Sequence, residues 1–179
     1  MSSGGAVADC CRVGGRGLDP PTQCPGCGKV GRTVEPITLS ALLAPAALER
    51  RSPGQHRFCA NEVCPIVYFG DGETFISADL IVPVFQKEPV GSRTVCYCLG
   101  ITEAELRQQV DAADRTAVQR IRQLVNEGRC ACEVRNPQGS CCLGNVVAVT
   151  GSPEGRAQPA GPPQATEPAE PGAPGRGGS

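Results

Sequence analysis

The chain has 179 residues, a net charge of −1, 3% aromatic residues with no Trp, and 23 glycines and 17 prolines beside 12 cysteines. So little large apolar material cannot build a deep core, and each small unit needs a staple, which cysteine supplies as disulfide or metal ligand. The near-neutral charge argues against general attraction to nucleic acid or anionic membrane. No apolar stretch approaches the length needed to cross a bilayer.

Residues 1–21 are Gly-rich and lack periodicity; they read as a flexible arm carrying the adjacent pair Cys10-Cys11. No basic start leads into an apolar run, so no signal peptide is expected and the location reads as cytoplasmic. Thiols stay reduced there, and paired cysteines bind metal; a disulfide scaffold is the alternative.

Residues 22–89 form the first cysteine unit. Cys24-Pro25-Gly26-Cys27-Gly28 is a knuckle in which Pro and Gly make the tight turn that sets two sulfurs on one side. Residues 38–48 have a short helical pattern, capped by Thr38 or Ser40 and interrupted at Pro45. Residues 56–59 and 66–69 read as strands flanking Cys64, and Asp71-Gly72 as a hairpin turn into a strand over 74–76. Residues 80–85 read as one more strand, at a sheet edge because of Pro83.

Residues 90–150 form a second, helical unit. Thr102 and Glu105 make a capping box, with Ile101, Leu106, Val110 and Ala113 following on one face. A second helix runs over 116–127, with Val118, Ile121, Leu124 and Val125 inward and Gly128 where a C-terminal cap belongs. Asn136-Pro137-Gln138-Gly139 is a turn, and Cys141-Cys142 opens an apolar segment, read as a third helix, through Val149. Residues 151–179 are rich in Pro, Gly and Ala without one aromatic or large aliphatic residue and read as a disordered tail. The fold class is therefore α+β: a small strand-rich unit, a small helical unit and the tail.

Two cysteine sets emerge. Cys24 and Cys27, two residues between them, and Cys59 and Cys64, four between them, suit a closed tetrahedral sulfur cage. Zinc is the expected metal and its role structural, since no position stays open for water or substrate; iron in a rubredoxin-like cage takes the same ligands. His56, three residues before Cys59, reads as a strand residue beside the site, with a ligand role as the alternative. The second set is Cys96-Tyr97-Cys98 with Cys130, Cys132, Cys141 and Cys142. One residue between thiolates suits a wider [2Fe-2S] cluster better than a single-metal cage, and helix N-termini at Thr102 and near Cys142 would face its negative charge. A second zinc site is the alternative.

These residues carry a resemblance. Cys24-Pro25-Gly26-Cys27, Phe58-Cys59 with Cys64, Val67-Tyr68-Phe69, Val95-Cys96-Tyr97-Cys98, Ile101-Thr102-Glu103, and Cys132 followed by Asn136-Pro137, Gly139 and Cys141-Cys142 resemble the N-terminal part of CopZ-type copper chaperones. The second unit also resembles bacterioferritin-associated ferredoxin, a small helical [2Fe-2S] module. The resemblance implies zinc on Cys24, Cys27, Cys59 and Cys64, and the cluster on Cys96, Cys98, Cys132 and Cys142. On spacing alone Cys141 is an equally reachable neighbour of Cys142, and Cys130 competes with Cys132. The family continues into a copper-transfer domain with its own Cys-x-x-Cys, whereas residues 151–179 here hold no cysteine. Cys10-Cys11 is either a substitute Cu(I) site or a pair of exposed thiols.

The implied function is a cytoplasmic metallochaperone-type protein with a one-electron role in copper or soft-metal handling, Cu(I) as a further bound metal, and a copper-export ATPase or redox protein as partner. The alternative is a ferredoxin-like electron carrier or adaptor that binds no copper. A third reading is a partner-docking or redox-sensing module. No catalytic residues are expected: there is no Gly-rich phosphate loop, no Cys–His pair and no open metal site, and Asp111 and Asp114 read as solvated carboxylates. The one activity the resemblance implies is reduction of Cu(II). Arg115, Arg120, Arg122 and Arg129 give the second helix a mildly basic face suited to an acidic redox partner.

Overall fold

The computed structural model describes residues 21–151. The expected arm, its Cys10-Cys11 pair and the residues of the tail from 152 onward lie outside them.

The N-terminal part is strand-rich. Strands β1 (Arg32–Val34), β2 (His56–Phe58), β3 (Ile66–Gly70) and β4 (Glu73–Ile76) form one antiparallel sheet in chain order. β3 and β4 join through Asp71-Gly72, both at positive φ (41° and 80°), the tight hairpin turn that this dipeptide favours. Two short helices, α1 (Pro36–Leu42) and α2 (Pro45–Glu49), cover one face. Each begins with a proline, whose missing N–H costs nothing in a first turn. Pro45 thus starts a helix rather than merely interrupting one. Neither expected cap operates: Thr38 is buried inside α1 and donates to the carbonyl of Glu133 at 2.7 Å, while Ser40 donates back to Pro36.

β1 carries no alternating pattern long enough to announce it, and pairing with β2 is what extends it. The strand expected over 80–85 does not form. Leu80 makes a single bridge to Leu43, and the amides of Lys87 and Glu88 both turn back onto the carbonyl of Val84 (2.7 and 3.1 Å). The prolines and the opposite destinations of Val84 and Phe85 break the period: Val84 enters the core of the strand-rich part, Phe85 that of the helical part.

The C-terminal part is helical: α3 (Glu103–Asp111), α4 (Thr116–Asn126), α5 (Cys132–Arg135) and α6 (Leu143–Thr150), preceded by the small ribbon β5 (Thr94–Cys96) and β6 (Ile101–Thr102). The capping box forms as the pattern predicts, Thr102 Oγ1 accepting from the Glu105 amide and Glu105 returning a bond to the Thr102 amide. Ile101, Leu106, Val118 and Ile121 are buried with Val146 of α6, whereas Ala113 is exposed, at φ 56° beyond the end of α3. Gly128 takes the left-handed conformation after α4. The exposed Asp114 accepts from the amide and hydroxyl of Thr116 (2.8 and 2.6 Å), the first residue of α4. Among the described residues no helix is long and apolar enough to cross a membrane.

The two parts are tied tightly. Tyr68 and Phe69 are consecutive on β3 and fully buried on opposite faces. Tyr68 crosses the first core and donates its hydroxyl to the Pro137 carbonyl at 2.6 Å, in the turn between Cys132 and Cys142. α5 packs on α1, and Arg32 donates to Ser140 at 2.6 Å. Tyr68→Phe keeps the ring but leaves a buried carbonyl unpaired, so it should cost about 1–3 kcal/mol. Denaturant unfolding of the metal-loaded chain checks this.

Candidate metal centres

The first centre is built by two knuckles. In Cys24–Gly28 the amide of Gly28 bonds the Cys24 carbonyl (2.8 Å) and the Cys24 amide bonds Lys29 (2.9 Å), with Gly28 at φ 71° closing the turn. A Cβ at Gly26 would stand 3.3 Å from Cys64 Sγ, so this turn lies directly against the opposite knuckle. Cys59 is fixed by its amide to Val67 at the end of β2, and Cys64 by its amide to Asn61. Phe69 and Ile66 close the back of the site.

The four sulfurs converge. All lie within 4.8 Å of one another, with Cys24–Cys64 at 3.8 Å and Cys27–Cys59 at 3.7 Å. A tetrahedron with metal–sulfur bonds of about 2.3 Å has an edge of about 3.8 Å, so the spacing fits a zinc-sized cage. Cys24, Cys59 and Cys64 are buried and Cys27 half-buried. Three sulfurs share one device, an amide two residues on that favours the thiolate: Lys29 for Cys27, Asn61 for Cys59 and Ile66 for Cys64. At Cys27 this amide dominates and holds the thiol down near 6. Burial dominates at Cys59, pushed up to about 12, and at Cys64, also pushed up.

His56 does not join the cage. Its ring is buried in β2, with Nδ1 2.9 Å from the Gly54 carbonyl and Nε2 2.6 Å from Glu73 Oε1, which also accepts from Ser52. Burial raises the Glu73 carboxyl, and the bonds from His56 and Ser52 outweigh that and leave it below its usual range.

The second sulfur set gathers around α5, α6 and the β5–β6 ribbon. Cys96 ends β5, Cys132 begins α5 and Cys142 stands at the N-terminus of α6; all three are buried. The Gly139 turn, φ 62° with its amide on the Asn136 carbonyl, returns the chain so that Cys132 and Cys142 meet. Cys142 hydrogen-bonds Cys96, holding that thiol down near 6. The exposed Cys141 reaches Cys132 as well, and this contact, helped by burial and only partly offset by the bond to Cys142, pushes the Cys132 thiol up to about 12. Cys98 is half-buried and accepts from the Ala131 amide at 3.3 Å; Cys130 is half-buried beside them. Among the described residues the first set is the group whose donors all fall within 4.8 Å; the second set is more open. None of the ten described cysteines is in a disulfide. Asn145, in the first turn of α6, is buried with its Nδ2 donor unpartnered, a signal no sequence pattern announces.

Glu103 holds the approach to Cys96. It is 1% exposed; its oxygens accept from Arg107 (2.8 and 2.6 Å) and from the Gly91 amide (2.9 Å), and its own amide bonds the Arg93 carbonyl. A cleft of about 510 Å³ between the sheet and α6 exposes Cys141 beside Arg32, Gln86 and Gln138.

This is a mixed α/β protein whose metal-binding capacity is carried by cysteine. Residues 21–81 match the CopZ-type zinc-binding domain. The copper chaperone CopZ of Archaeoglobus fulgidus is 32% identical over 121 residues, 67% of this chain and 57% of that protein. The crystal structure of the Archaeoglobus fulgidus CopZ N-terminal domain superposes with a TM-score of 0.61 at 30% identity, covering 73% of this chain and 98% of that one. The chain belongs to the family of the CopZ N-terminal domain, and it spans little more than half the length of the full-length CopZ it matches.

Burial raises the Glu103 carboxyl, but the Gly91 amide and the Arg107 and Arg93 guanidiniums outweigh it and hold the group below its ordinary value. Its stabilising contribution is therefore complete above the ordinary carboxylate range, about pH 4.3, and is lost as pH falls through the depressed value. Glu103→Gln should cost about 1–3 kcal/mol at pH 7. That gap to the unaltered protein should narrow as pH falls below the ordinary carboxylate range and close only once Glu103 is protonated in the folded chain; thermal unfolding of both proteins across falling pH measures it.

Proposed function

We propose that this protein is a metallochaperone-type metal-binding protein holding a structural zinc at Cys24, Cys27, Cys59 and Cys64 and a [2Fe-2S] cluster at Cys96, Cys98, Cys132 and Cys142. The observation that carries the first assignment is the near-tetrahedral sulfur spacing, 3.7 and 3.8 Å on two edges, inside a matched zinc-binding domain. Protein sulfur would fill all four positions, so the metal acts on the fold.

The second assignment is supported by the chemistry of its donors. Four thiols that do not all fall within 4.8 Å of one another suit a binuclear centre with one pair per iron. Burial favours Cys142 over its exposed neighbour Cys141, and Cys132 over the half-buried Cys130. The unpartnered Asn145 donor supplies what an anionic sulfur cluster accepts. When bound, such a cluster supplies a one-electron couple. The helical part is then a module of the bacterioferritin-associated ferredoxin type. Around it the chain buries the sulfurs, donates the Ala131 amide to Cys98 and orients the Cys96 strand through Glu103. Thiols left free of disulfides in this number suit a reducing compartment, which agrees with a cytoplasmic location.

Soft-metal handling follows from the relative, named a copper chaperone. Among the described residues Cys130 and the exposed Cys141 are left outside both sets and are free to meet Cu(I), a soft ion that thiolates select. A copper-export ATPase is the corresponding partner.

Anaerobically purified protein should contain one zinc, two irons and two acid-labile sulfides per chain. A natively folded, iron-free and cluster-free product overturns the second assignment. Cys24→Ser should release zinc and unfold the strand-rich part; a folded, metal-free variant overturns the first. Cu(I) titration tests the copper role: no stoichiometric binding leaves an electron carrier instead. Asn145→Leu, which removes a donor that favours the more negative reduced state, should lower the reduction potential of the second centre in a spectroelectrochemical titration.

A further inference from the structure

Between the two centres runs a short segment, residues 83–88, that belongs to neither cysteine set and lies beyond the matched zinc-binding domain. Its far end is Lys87. The ammonium donates to the Asn61 carbonyl at 2.5 Å and to the Cys64 carbonyl at 2.9 Å, so it clamps the knuckle that carries Cys59 and Cys64. Its near end is held by Tyr97, the residue between Cys96 and Cys98. The Tyr97 hydroxyl donates to the Pro83 carbonyl at 2.8 Å and accepts from the Phe85 amide at 3.0 Å.

The segment has little slack. The Lys87 and Glu88 amides close on Val84, and Val84 and Phe85 are plugged into different cores, at 0% and 6% exposure. A parallel tie starts from the same knuckle: Arg93 reaches Glu62 at 3.6 Å, lies over the Phe85 ring at 5.1 Å and donates to the Glu88 carbonyl at 3.0 Å. Arg93 also immediately precedes β5, the strand that ends at Cys96. A four-thiolate zinc site carries a net charge of −2, and Lys87 brings a positive charge against its backbone without contributing a ligand.

We propose that Lys87 and Tyr97 are positioning residues at the two ends of a strap that couples the centres, so that the metal held at the first sets the reduction potential of the second. The inference rests on the two assignments above. Filling the first cage fixes the carbonyls of Asn61 and Cys64; these fix Lys87, and the hydrogen-bonded turn transmits that placement to Tyr97 and its flanking cysteines. Coupling of this kind is reciprocal: the redox state of the second centre shifts metal affinity at the first by the same free energy, and the strap is the path on which both depend.

The test uses the full chain, prepared without oxygen with both groups loaded. Lys87→Met keeps the stem and removes the charge and donors; Lys87→Arg keeps the charge; Tyr97→Phe keeps the ring and removes both bonds. Zinc affinity is read by chelator competition and the potential of the second centre by a spectroscopically followed redox titration. Lys87→Met should weaken zinc by about tenfold or more and shift the potential, and Lys87→Arg should restore both. Tyr97→Phe should weaken zinc although it touches no part of the first centre. Wild-type zinc affinity in Tyr97→Phe, or wild-type potential in Lys87→Met, overturns the coupling.

Should the variants not fold, the unaltered chain loaded with Cd²⁺ in place of Zn²⁺ gives the same answer: a changed potential supports the strap, and an identical potential overturns it. A folded protein that takes up no iron removes the [2Fe-2S] assignment itself and this inference with it. That outcome is distinct from an iron-loaded protein whose potential ignores the first centre.

Discussion

Thiolates repel. Two full negative charges 3.8 Å apart, the Cys24–Cys64 separation, oppose one another by about 4 kcal/mol at an effective dielectric of about 20. Four such groups within 4.8 Å are tenable only if they are protonated or if a cation sits among them. The backbone is arranged for the second case. Amides two residues beyond Cys27, Cys59 and Cys64 point at the sulfurs, and each favours the charged form. Burial outweighs these amides at Cys59 and Cys64, so a cation among the sulfurs is what would keep them charged. The knuckles, the small core around Phe69 and the sheet register all follow from keeping these sulfurs together in a chain with few large apolar residues.

β3 shows how so small a core serves two sites. Its burial runs unbroken from Val67 to Gly70 because both faces are covered. Phe69 backs the first cage, while Tyr68, one residue away on the opposite face, spans the other core to the turn joining Cys132 to Cys142. Thr38 adds a bond to α5 from the helix above. Half of the second sulfur set is therefore positioned by the strand-rich part, and the other half, Cys96 and Cys98, by Glu103 and by the Tyr97 phenol. Separating the parts between residues 89 and 90 would remove these supports from sulfurs that are nevertheless close in sequence.

What was legible in the sequence was what local chemistry determines. A Pro-Gly knuckle, an Asp-Gly hairpin, a Thr-x-x-Glu box and a Gly after an amphipathic run each satisfy their own backbone groups, and each appears where the pattern places it. The pattern failed where distant partners decide. Residues 80–85 alternate plausibly for a strand, yet Val84 and Phe85 are drawn into different cores. Thr38 looks like a cap and spends its hydroxyl on a residue 95 positions away. Asp114 is exposed, as a solvated carboxylate would be, and also accepts from Thr116 at the start of α4, a local bond that the Asp-x-Thr spacing does encode. Asn145 and Lys87 carried no signal, because an orphaned donor or a clamped carbonyl exists only once the chain has folded.

The vicinal pair Cys141-Cys142 shows how the fold differentiates residues that spacing leaves equivalent. Cys142 is 2% exposed, packs with Cys96 and Cys132, and occupies the N-terminus of α6, where free amides favour negative charge. Cys141 is exposed to the cleft between the sheet and α6, although its sulfur still reaches Cys132 and Cys142. In the proposed reading the buried thiol holds iron and its neighbour stays open to solvent within bonding distance of the ligand set. A soft ion arriving at Cys141 would therefore stand next to a one-electron centre without displacing any of its ligands. On that reading one small fold would place metal contact and electron transfer side by side, with β3, which backs the first cage, also reaching the turn between Cys132 and Cys142.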